Sequence, residues 1–354
     1  MRNNMKAGSK ISNGVEQLMA NGGQLPSLAE GFDRGESNPL DTILMANASR
    51  FTEAYFQEPL TTYALGWGRS NPEVADMLEF IAPAVQTSRR FEYAAGVNVE
   101  GYLSETDDIR AIGADFKRVE YSSTKVTSKT YNKGLTIRVD EDQIDGMPNW
   151  QFVYTDRLMR RLHLNDFRRA AVLLKAAATD GAVTWDATAG KDPDADAAAA
   201  LIAGNTALGN PGLNRGIYGT TAWQKRFLSL RAQSHAGGFA SASLTPQQLA
   251  GLLGMDDIKI SREVYATGGA ALTTKGTVID TTIGTTGIVL FYNAQAGQTQ
   301  DDPSSIKRFV SNTASGGFRV YLQSVAAKLW DLTVEHYSNI VVTSSTGVRQ
   351  LTVS

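Results

Sequence analysis

Four carboxylates stand close together near the middle of the chain, at Asp140, Glu141, Asp142 and Asp145. Two carboxylates at such a spacing can supply the acid and the base of a hydrolytic reaction. No histidine, glycine-rich loop or metal-binding pattern accompanies them in the neighbouring sequence. The favoured interpretation is therefore a solvated or intersubunit acidic patch, and a hydrolase that uses these carboxylates stays open as an alternative.

The histidines offer little support for catalysis. His163, His235 and His336 are far apart in the sequence, and none belongs to an HExxH or H-x-E pattern. His163 falls on a predicted helix and His336 alternates with apolar residues in a predicted strand. We expect structural or solvent-exposed roles for all three.

One acidic motif resembles a metal site without meeting its requirements. Asp192, Asp194 and Asp196 have the spacing that begins a calcium loop, but the glycine required at the sixth position is absent and Ala203 replaces the final glutamate. Acidic residues at the start of an Ala-rich helix explain the pattern better, because they interact favourably with the helix dipole. No catalytic, cofactor-binding or metal-binding residue is predicted, and no cofactor is expected.

A row of basic side chains is the remaining candidate, on a long helix predicted over residues 149–179. At about 100° per residue, Arg157, Arg161, Arg168 and Lys175 fall nearly in line. Such a row is typical of a solvated face whose cations pair with acidic residues, including those of a neighbouring chain. A face kept positive for a polyanion is the second interpretation, and the sequence leaves both open.

The helix that carries this row has clear sequence signals. It contains no Gly and no Pro, and most of its positions hold good helix formers. Asn149 can cap its start, and Gly181 lies just past its predicted end. These features predict a helix longer than is usual in a globular domain.

The apolar face of this helix changes side part-way along it. Tyr154, Leu158 and Leu162 share one side, whereas Phe167 and Leu174 lie on another. A helix with one packing partner would keep a single apolar stripe. We therefore expect the two ends of the helix to pack against different elements.

Composition excludes several classes of protein. The 354 residues carry a formal net charge of -2 and include no cysteine, so disulfides, thiolate chemistry and cysteine zinc sites are excluded. A charge near neutrality argues against a dedicated nucleic-acid-binding domain. No apolar run approaches the roughly 20 residues that cross a bilayer, and the N-terminus lacks the apolar core of a secretory signal. We expect a soluble protein that is made and used in a cytoplasm.

Three segments precede the long helix. Residues 1–40 are too polar to bury a core of their own and are predicted to be an arm that orders on a partner surface. Pro59 is predicted to end a short helix, and residues 81–85 form an extended entry around Pro83. Residues 86–135 predict a hairpin that is polar on both faces, whose place is outside the body of the subunit.

The chain beyond the helix divides into a second domain and a strand-rich tail. Residues 204–309 predict an α/β domain, with a helix that places Trp223, Phe227 and Leu230 on one side, one strand over residues 257–265, and a buried central strand over residues 288–292. The strands predicted over residues 317–354 have no helix of their own. The long helix, much earlier in the sequence, is their expected cover.

The order of these parts resembles one family, the major capsid proteins of tailed bacteriophages, whose Hong Kong 97-type fold is shared with encapsulin shells and the herpesvirus shell floor. The resemblance is carried by the entry at residues 81–85, the extended loop at 91–131, the long helix at 149–179 and the tail sequence VEHYSNIVVT at 334–343. It covers nearly the whole chain and rests on the layout of elements, since the family has no catalytic signature.

The resemblance implies an α+β fold in four parts. These are an N-terminal arm (1–65), a peripheral domain (66–85, 136–194 and 310–354) with the spine helix at 149–179, an extended hairpin loop (86–135) and an axial domain (195–309).

The resemblance also implies a function. The chain would be a major capsid protein, and not an enzyme, that self-assembles as hexamers and pentamers into the icosahedral head shell around the double-stranded DNA of a tailed phage. Its implied partners are further copies of itself, a separate scaffolding protein, a portal, a decoration protein and packaged DNA bound without sequence specificity, but no membrane. Its implied location is the virion, after assembly in the cytoplasm of a bacterial host, with the row of Arg157, Arg161, Arg168 and Lys175 facing the lumen. An encapsulin-type nanocompartment shell that encloses a cargo enzyme remains an alternative within the same fold.

Overall fold

The computed structural model describes residues 55–70, 72–95, 109, 112, 115, 124–188, 190–209, 212–233, 236–267, 274–282, 287–293, 304–311 and 317–354. Residues 56–354 belong to one compact unit. The predicted arm up to residue 54 and most of the predicted hairpin loop between residues 96 and 123 lie outside the described residues. None of the described helices is long and apolar enough to cross a membrane.

The described elements comprise nine helices and fourteen strands. The helices are α1 (Glu58–Ser70), α2 (Pro72–Ile81), α3 (Glu141–Ile144), α4 (Trp150–Ala177), α5 (Pro193–Leu208), α6 (Thr220–Ala232), α7 (Ala236–Ala242), α8 (Pro246–Leu253) and α9 (Val278–Thr282). The strands are β1 (Ala84–Thr87), β2 (Arg90–Ala95), β3 (Thr124–Lys129), β4 (Tyr131–Asp140), β5 (Thr179–Val183), β6 (Arg215–Gly219), β7 (Asp257–Ser261), β8 (Val264–Thr267), β9 (Thr274–Thr277), β10 (Gly287–Phe291), β11 (Ile306–Ser311), β12 (Phe318–Ala326), β13 (Leu329–Val342) and β14 (Arg349–Val353).

Helix α4 is the predicted long helix, and it runs for 28 residues. Its ends differ from the prediction in detail. Asn149 precedes the first turn, but its side chain makes no capping hydrogen bond. Ala178 adopts extended backbone and ends the helix, so that Gly181 lies within strand β5 and takes no part in the helix end.

The N-terminal half of α4 packs against one core. Leu158, Met159 and Leu162 are buried there with Trp67 of α1 and Leu332 of β13. This contact places the helix across the strands of the tail, as the sequence predicts. The tail strands therefore take their cover from a helix more than a hundred residues earlier in the chain.

The C-terminal half of α4 packs against a second core. Phe167 and Leu174 are buried there with Ile81 of α2 and with Val289 and Phe291 of β10. The shift of the apolar face along α4 thus corresponds to a change of packing partner. The prediction that its two ends contact different elements is confirmed.

Two main sheets lie on either side of the point where α4 changes its packing partner. In the first, β4 and β12 both pair antiparallel with β13, β11 pairs antiparallel with the end of β13, and β1 runs parallel to β11. The second sheet has the order β5-β14-β10-β6-β7. In its central strand, Ile288 and Leu290 face a core formed with α5, α6 and α8, whereas Val289 and Phe291 face α4. This confirms the buried central strand with both faces covered.

Strand pairing departs from the predicted division of the chain. Strand β11 lies in the first sheet, although the axial domain was predicted to extend to residue 309. Strands β5 and β14 lie in the second sheet, although both were predicted to belong to the peripheral domain. Apolar alternation indicates that a segment is a strand but does not specify its partner, and β5 and β14 are about 170 residues apart in the sequence.

The last residues of the predicted N-terminal arm, 58–65, are helical. Helix α1 begins at Glu58, and its residues Leu60, Ala64 and Trp67 are buried in the core beneath α4. Pro59 lies in the first turn of α1, where the N–H group that proline lacks is not needed. The short helix predicted to end at Pro59 lies mostly outside the described residues. Residues 58–65 consequently belong to the body of the subunit.

The base of the predicted hairpin is a ribbon in which β2 and β3 pair antiparallel. Phe91 and Tyr93 of β2 pack against Phe309, with ring centroids 4.2 and 5.6 Å apart. Strand β3 has no fully buried residue. The expected lack of an apolar side therefore holds for β3 but not for β2, and residues 131–135 belong to β4 of the first sheet.

Two local predictions in the second half need correction. Residues 257–265 belong to two strands, β7 and β8, which are separated by Arg262 and Glu263. In α6, Leu230 is buried, but Phe227 is 39% exposed. The predicted helix is present, and its apolar side is only partly covered by the described residues.

Candidate functional surfaces of the long helix

The predicted basic row is only partly exposed. Arg157, Arg161 and Arg168 are exposed, whereas Lys175 is half-buried, because the buried face of α4 turns toward it in the second half of the helix. The guanidinium of Arg168 lies 4.2 Å from the ring centroid of Tyr265. None of the four cations forms an ion pair with another described residue.

A buried carboxylate on the same helix organises a polar cluster that the sequence did not predict. Asp166 Oδ1 accepts hydrogen bonds from Lys133 Nζ at 2.9 Å and from Arg169 Nη1 at 2.8 Å. Its Oδ2 lies 3.1 Å from His336 Nε2 and 3.3 Å from Ser338 Oγ. Both oxygens are thus occupied by groups from α4, β4 and β13, and the cluster ties the helix to the first sheet.

The electrostatics of this cluster keep Asp166 ionised. Burial alone would raise the pKa of Asp166, but the hydrogen bond from His336 and the charge and hydrogen bond of Lys133 hold this pKa well below its usual range. Burial lowers the pKa of His336 and outweighs the opposing effect of Asp166. Burial likewise lowers the pKa of Lys133, against the attraction of Asp166. Since an ionised Asp166 can only accept, the neutral imidazole of His336 carries its proton on Nε2 and donates it.

A second histidine lies in an aromatic stack next to this cluster. The ring of His163 stacks on Trp67 at 4.8 Å and on Phe318 at 5.6 Å between centroids, and Phe318 in turn contacts His336. Burial, followed by the charges of Arg308 and His336, lowers the pKa of His163 to about 4. His163 and His336 therefore have structural roles, and His235 lies outside the described residues.

An open cleft of about 760 Å³ lies over the charged cluster, between α4, the first residues of β4 and the end of β13. Three cations line it, Lys133, Arg168 and Arg169, and no carboxylate appears among its described lining residues. Asp166 lies behind Lys133 and Arg169, with a side chain only 3% exposed. The cleft is therefore strongly positive where it meets solvent.

The sequence did contain a signal for the buried carboxylate. Asp166 is four residues after Leu162 and four before Ala170, and all three are buried. Residues four apart share one face of a helix. A carboxylate inside an apolar face indicates a buried and partnered group, because an isolated buried charge is costly.

Two of the four acidic residues at the start of α3, Asp140 and Asp142, have structural roles. Asp140 Oδ1 accepts a hydrogen bond from the backbone N–H of Asp142 and caps α3. Asp142 in turn pairs with Lys328 at 3.0 Å, and both side chains are more than half exposed. Glu141 and Asp145 are exposed as well. The arrangement matches the predicted solvated acidic patch.

The other acidic motif also matches its prediction. Asp192 caps α5, and its Oδ1 accepts hydrogen bonds from the backbone N–H groups of Asp194 and Ala195. Asp194 forms a bidentate ion pair with the buried Arg226. In the part of the chain that the structure describes, no group of three or more His, Asp or Glu side chains is arranged to hold a metal ion.

Sequence comparison finds no family model that matches this chain, and no curated protein sequence matches it. Structural comparison does find similar folds. A phage-related protein from Bordetella bronchiseptica RB50 superposes with a TM-score of 0.60 at 16% identity, over 84% of this chain and 97% of that protein. At this identity, the likeness concerns the fold and not the activity.

Two further structures are similar at a lower level. The capsid of Cyanophage P-SCSP1u gives a TM-score of 0.49 at 9% identity, over 78% of this chain and 87% of that one. A virus-like particle from Pyrococcus furiosus gives 0.45 at 12% identity, over 85% of this chain and all of that one. These two scores are too low to assign a fold. The likeness to the Bordetella protein shows that this chain shares the mixed helix and strand fold of a phage-related protein, in line with the predicted resemblance.

Proposed function

We propose that the chain is the major capsid protein of a tailed bacteriophage and forms an icosahedral head shell around double-stranded DNA. The observation that carries this proposal is the shared fold, which extends over nearly the whole length of a phage-related protein. The antiparallel pairing of β2 with β3 forms a ribbon separate from the two main sheets, as the base of the predicted hairpin loop requires. On this proposal, copies of the chain associate as hexamers and pentamers, with a scaffolding protein, a portal and a decoration protein as further partners, in the cytoplasm of the host.

Purified protein is expected to form closed shells of uniform diameter in negative-stain electron micrographs. The chain is expressed alone and together with the proteins encoded beside it, because a separate scaffolding protein is part of the proposal. Closed shells that contain nuclease-protected DNA support a phage head. Shells that lack DNA and retain a cargo enzyme support a nanocompartment, and an unassembled subunit under every condition contradicts both.

The basic row gives the proposed shell a lumen-facing surface for DNA. Arg157 and Arg161 are exposed and make no ion pair with a described residue, so their charge is available to phosphates outside the subunit. Contacts to phosphates carry no sequence information, which suits a wall that must accept any packaged genome. The competing interpretation pairs these cations with the exposed carboxylates of residues 140–145 in a neighbouring copy.

A double substitution, Arg157→Gln with Arg161→Gln, is expected to separate these interpretations. If the row faces DNA, empty shells stay intact, and DNA retained by opened shells at low salt falls several-fold because two phosphate contacts are lost. Arg231→Gln, which removes an exposed arginine from α6, is the matched control and should change neither quantity. Empty double-variant shells that dissociate at low salt would instead identify a contact between subunits.

A further inference from the structure

The cleft over the Asp166 cluster holds cations whose positions are fixed before any ligand arrives. Lys133 and Arg169 converge on the same oxygen, Asp166 Oδ1, at 2.9 and 2.8 Å. Arg168 is held by its contact with the ring of Tyr265. Side chains that are already ordered lose less conformational entropy when they bind.

These cations retain most of their hydrogen-bonding capacity. Among the described residues, Lys133 Nζ makes one hydrogen bond although an ammonium has three donors, and the Arg169 guanidinium makes one although it has five. Both line the cleft, together with Asn165 and Asn339. The side-chain amide of Asn339 already donates hydrogen bonds to Ser128 Oγ and Lys129 O, so the donors that the cleft offers come mainly from its cations. The cleft therefore combines the donors of three cations with a net positive charge.

This set of donors suits a phosphate group better than a metal ion or a single carboxylate. No carboxylate lines the described part of the cleft to coordinate a cation. A phosphate offers three strong acceptor oxygens and up to two negative charges, and planar guanidinium groups bind it in a bidentate manner. Tyr131, Val172 and Leu173 border the donors, and the volume of about 760 Å³ leaves room for the sugar and base that a phosphate ester carries.

We propose that this cleft is a binding site for a phosphate group, carried by a nucleotide or a nucleic-acid strand, with Lys133, Arg168 and Arg169 as its main donors. The site lies within one chain, so the inference stands apart from shell formation. Asp166 is a positioning residue in it, because its side chain is buried and holds two of the donors in place.

The test compares variants of the full-length protein by titration calorimetry at low ionic strength. Inorganic phosphate and a ten-nucleotide oligothymidylate are the two probes. Arg168→Gln removes a donor that makes no hydrogen bond to Asp166, and is expected to weaken binding of inorganic phosphate about tenfold, which corresponds to the loss of one charged donor. Arg169→Gln should weaken it as well. Arg231→Gln, which removes an exposed arginine of α6 outside the cleft, should leave the affinity unchanged.

The two probes also distinguish the source of the phosphate. Competition between inorganic phosphate and the oligonucleotide supports a site for a nucleic-acid strand, whereas binding of inorganic phosphate alone supports a site for a small phosphate compound. Equal losses in Arg231→Gln and Arg168→Gln would show diffuse attraction and overturn the proposal. The absence of binding by both probes would overturn it as well.

Discussion

Replacing Asp166 with alanine is expected to lower the free energy of unfolding by about 3 kcal/mol. The substitution leaves Lys133, whose side chain is only 15% exposed, without its carboxylate. It also removes the acceptor that His336 and Ser338 share. Arg169 is 52% exposed and can turn to solvent, which places the expected loss at the lower end of the range for a broken buried ion pair. Urea unfolding followed by tryptophan fluorescence measures the loss.

A surface ion pair on the same subunit provides the control for this prediction. Asp142 and Lys328 are 3.0 Å apart, but their side chains are 75% and 62% exposed. Asp142→Ala should therefore cost less than about 1 kcal/mol. A loss in Asp166→Ala that is no larger than in Asp142→Ala would show that the buried cluster contributes no special stability.

A second substitution tests whether the uncompensated lysine causes the loss. Lys133→Met replaces the ammonium with an apolar side chain of similar length. In the Asp166→Ala background, this change should recover about 1 kcal/mol or more, because it removes the buried charge that has no partner. In the wild-type background it should be destabilising, since it takes one donor from Asp166. Additive effects in the double variant would argue against a direct interaction between the two residues.

The sequence predicts the elements of this cluster but not the cluster itself. The apolar periodicity of α4 indicates both its packing faces, because the 3.6-residue repeat is a local property of the chain. Lys133 and His336 are 33 and 170 residues away from Asp166, and no local pattern links three residues that meet only in the folded chain. The position of Asp166 within an apolar face indicates burial, whereas the identity of its partners depends on the register between β4 and β13.

The pairing of the strands could not be predicted from the sequence either. The apolar run at residues 288–291 predicts a fully buried strand, since both of its faces must be covered. The neighbours of that strand, β6 and β14, come from segments on opposite sides of it in the sequence. The basic row was likewise visible from residue spacing, but the half-burial of Lys175 follows from where α4 meets α2, α9 and β10, which spacing does not specify.

The stability of the subunit is expected to fall as the pH is lowered from about 6.5 to about 4, because of His163. The pKa of this group is lowered from 6.5 to about 4 in the folded state, first by burial and then by the charges of Arg308 and His336. Below pH 6.5 the unfolded chain therefore binds a proton that the folded chain does not, and protonation favours unfolding. The loss levels off below about pH 4, where both states become protonated, and it amounts to about 3 kcal/mol at about 1.4 kcal/mol for each pH unit.

His163→Phe isolates this contribution, because phenylalanine keeps an aromatic ring between Trp67 and Phe318 but cannot bind a proton. Urea unfolding at intervals from pH 7 to pH 4 should give a shallower decline for the variant than for the wild type, with the two curves converging or crossing as the pH falls. His336 also has a lowered pKa, but it is present in both proteins, so the difference between them reports mainly the removal of His163. Asp166 loses its stabilising charge only below its ordinary pKa of 3.8, since its folded-state pKa is lowered, and so lies outside this range.

Parallel curves for the two proteins between pH 6.5 and pH 4 would show that His163 is not held neutral by the stack, and the assignment of this acid sensitivity to His163 would be wrong.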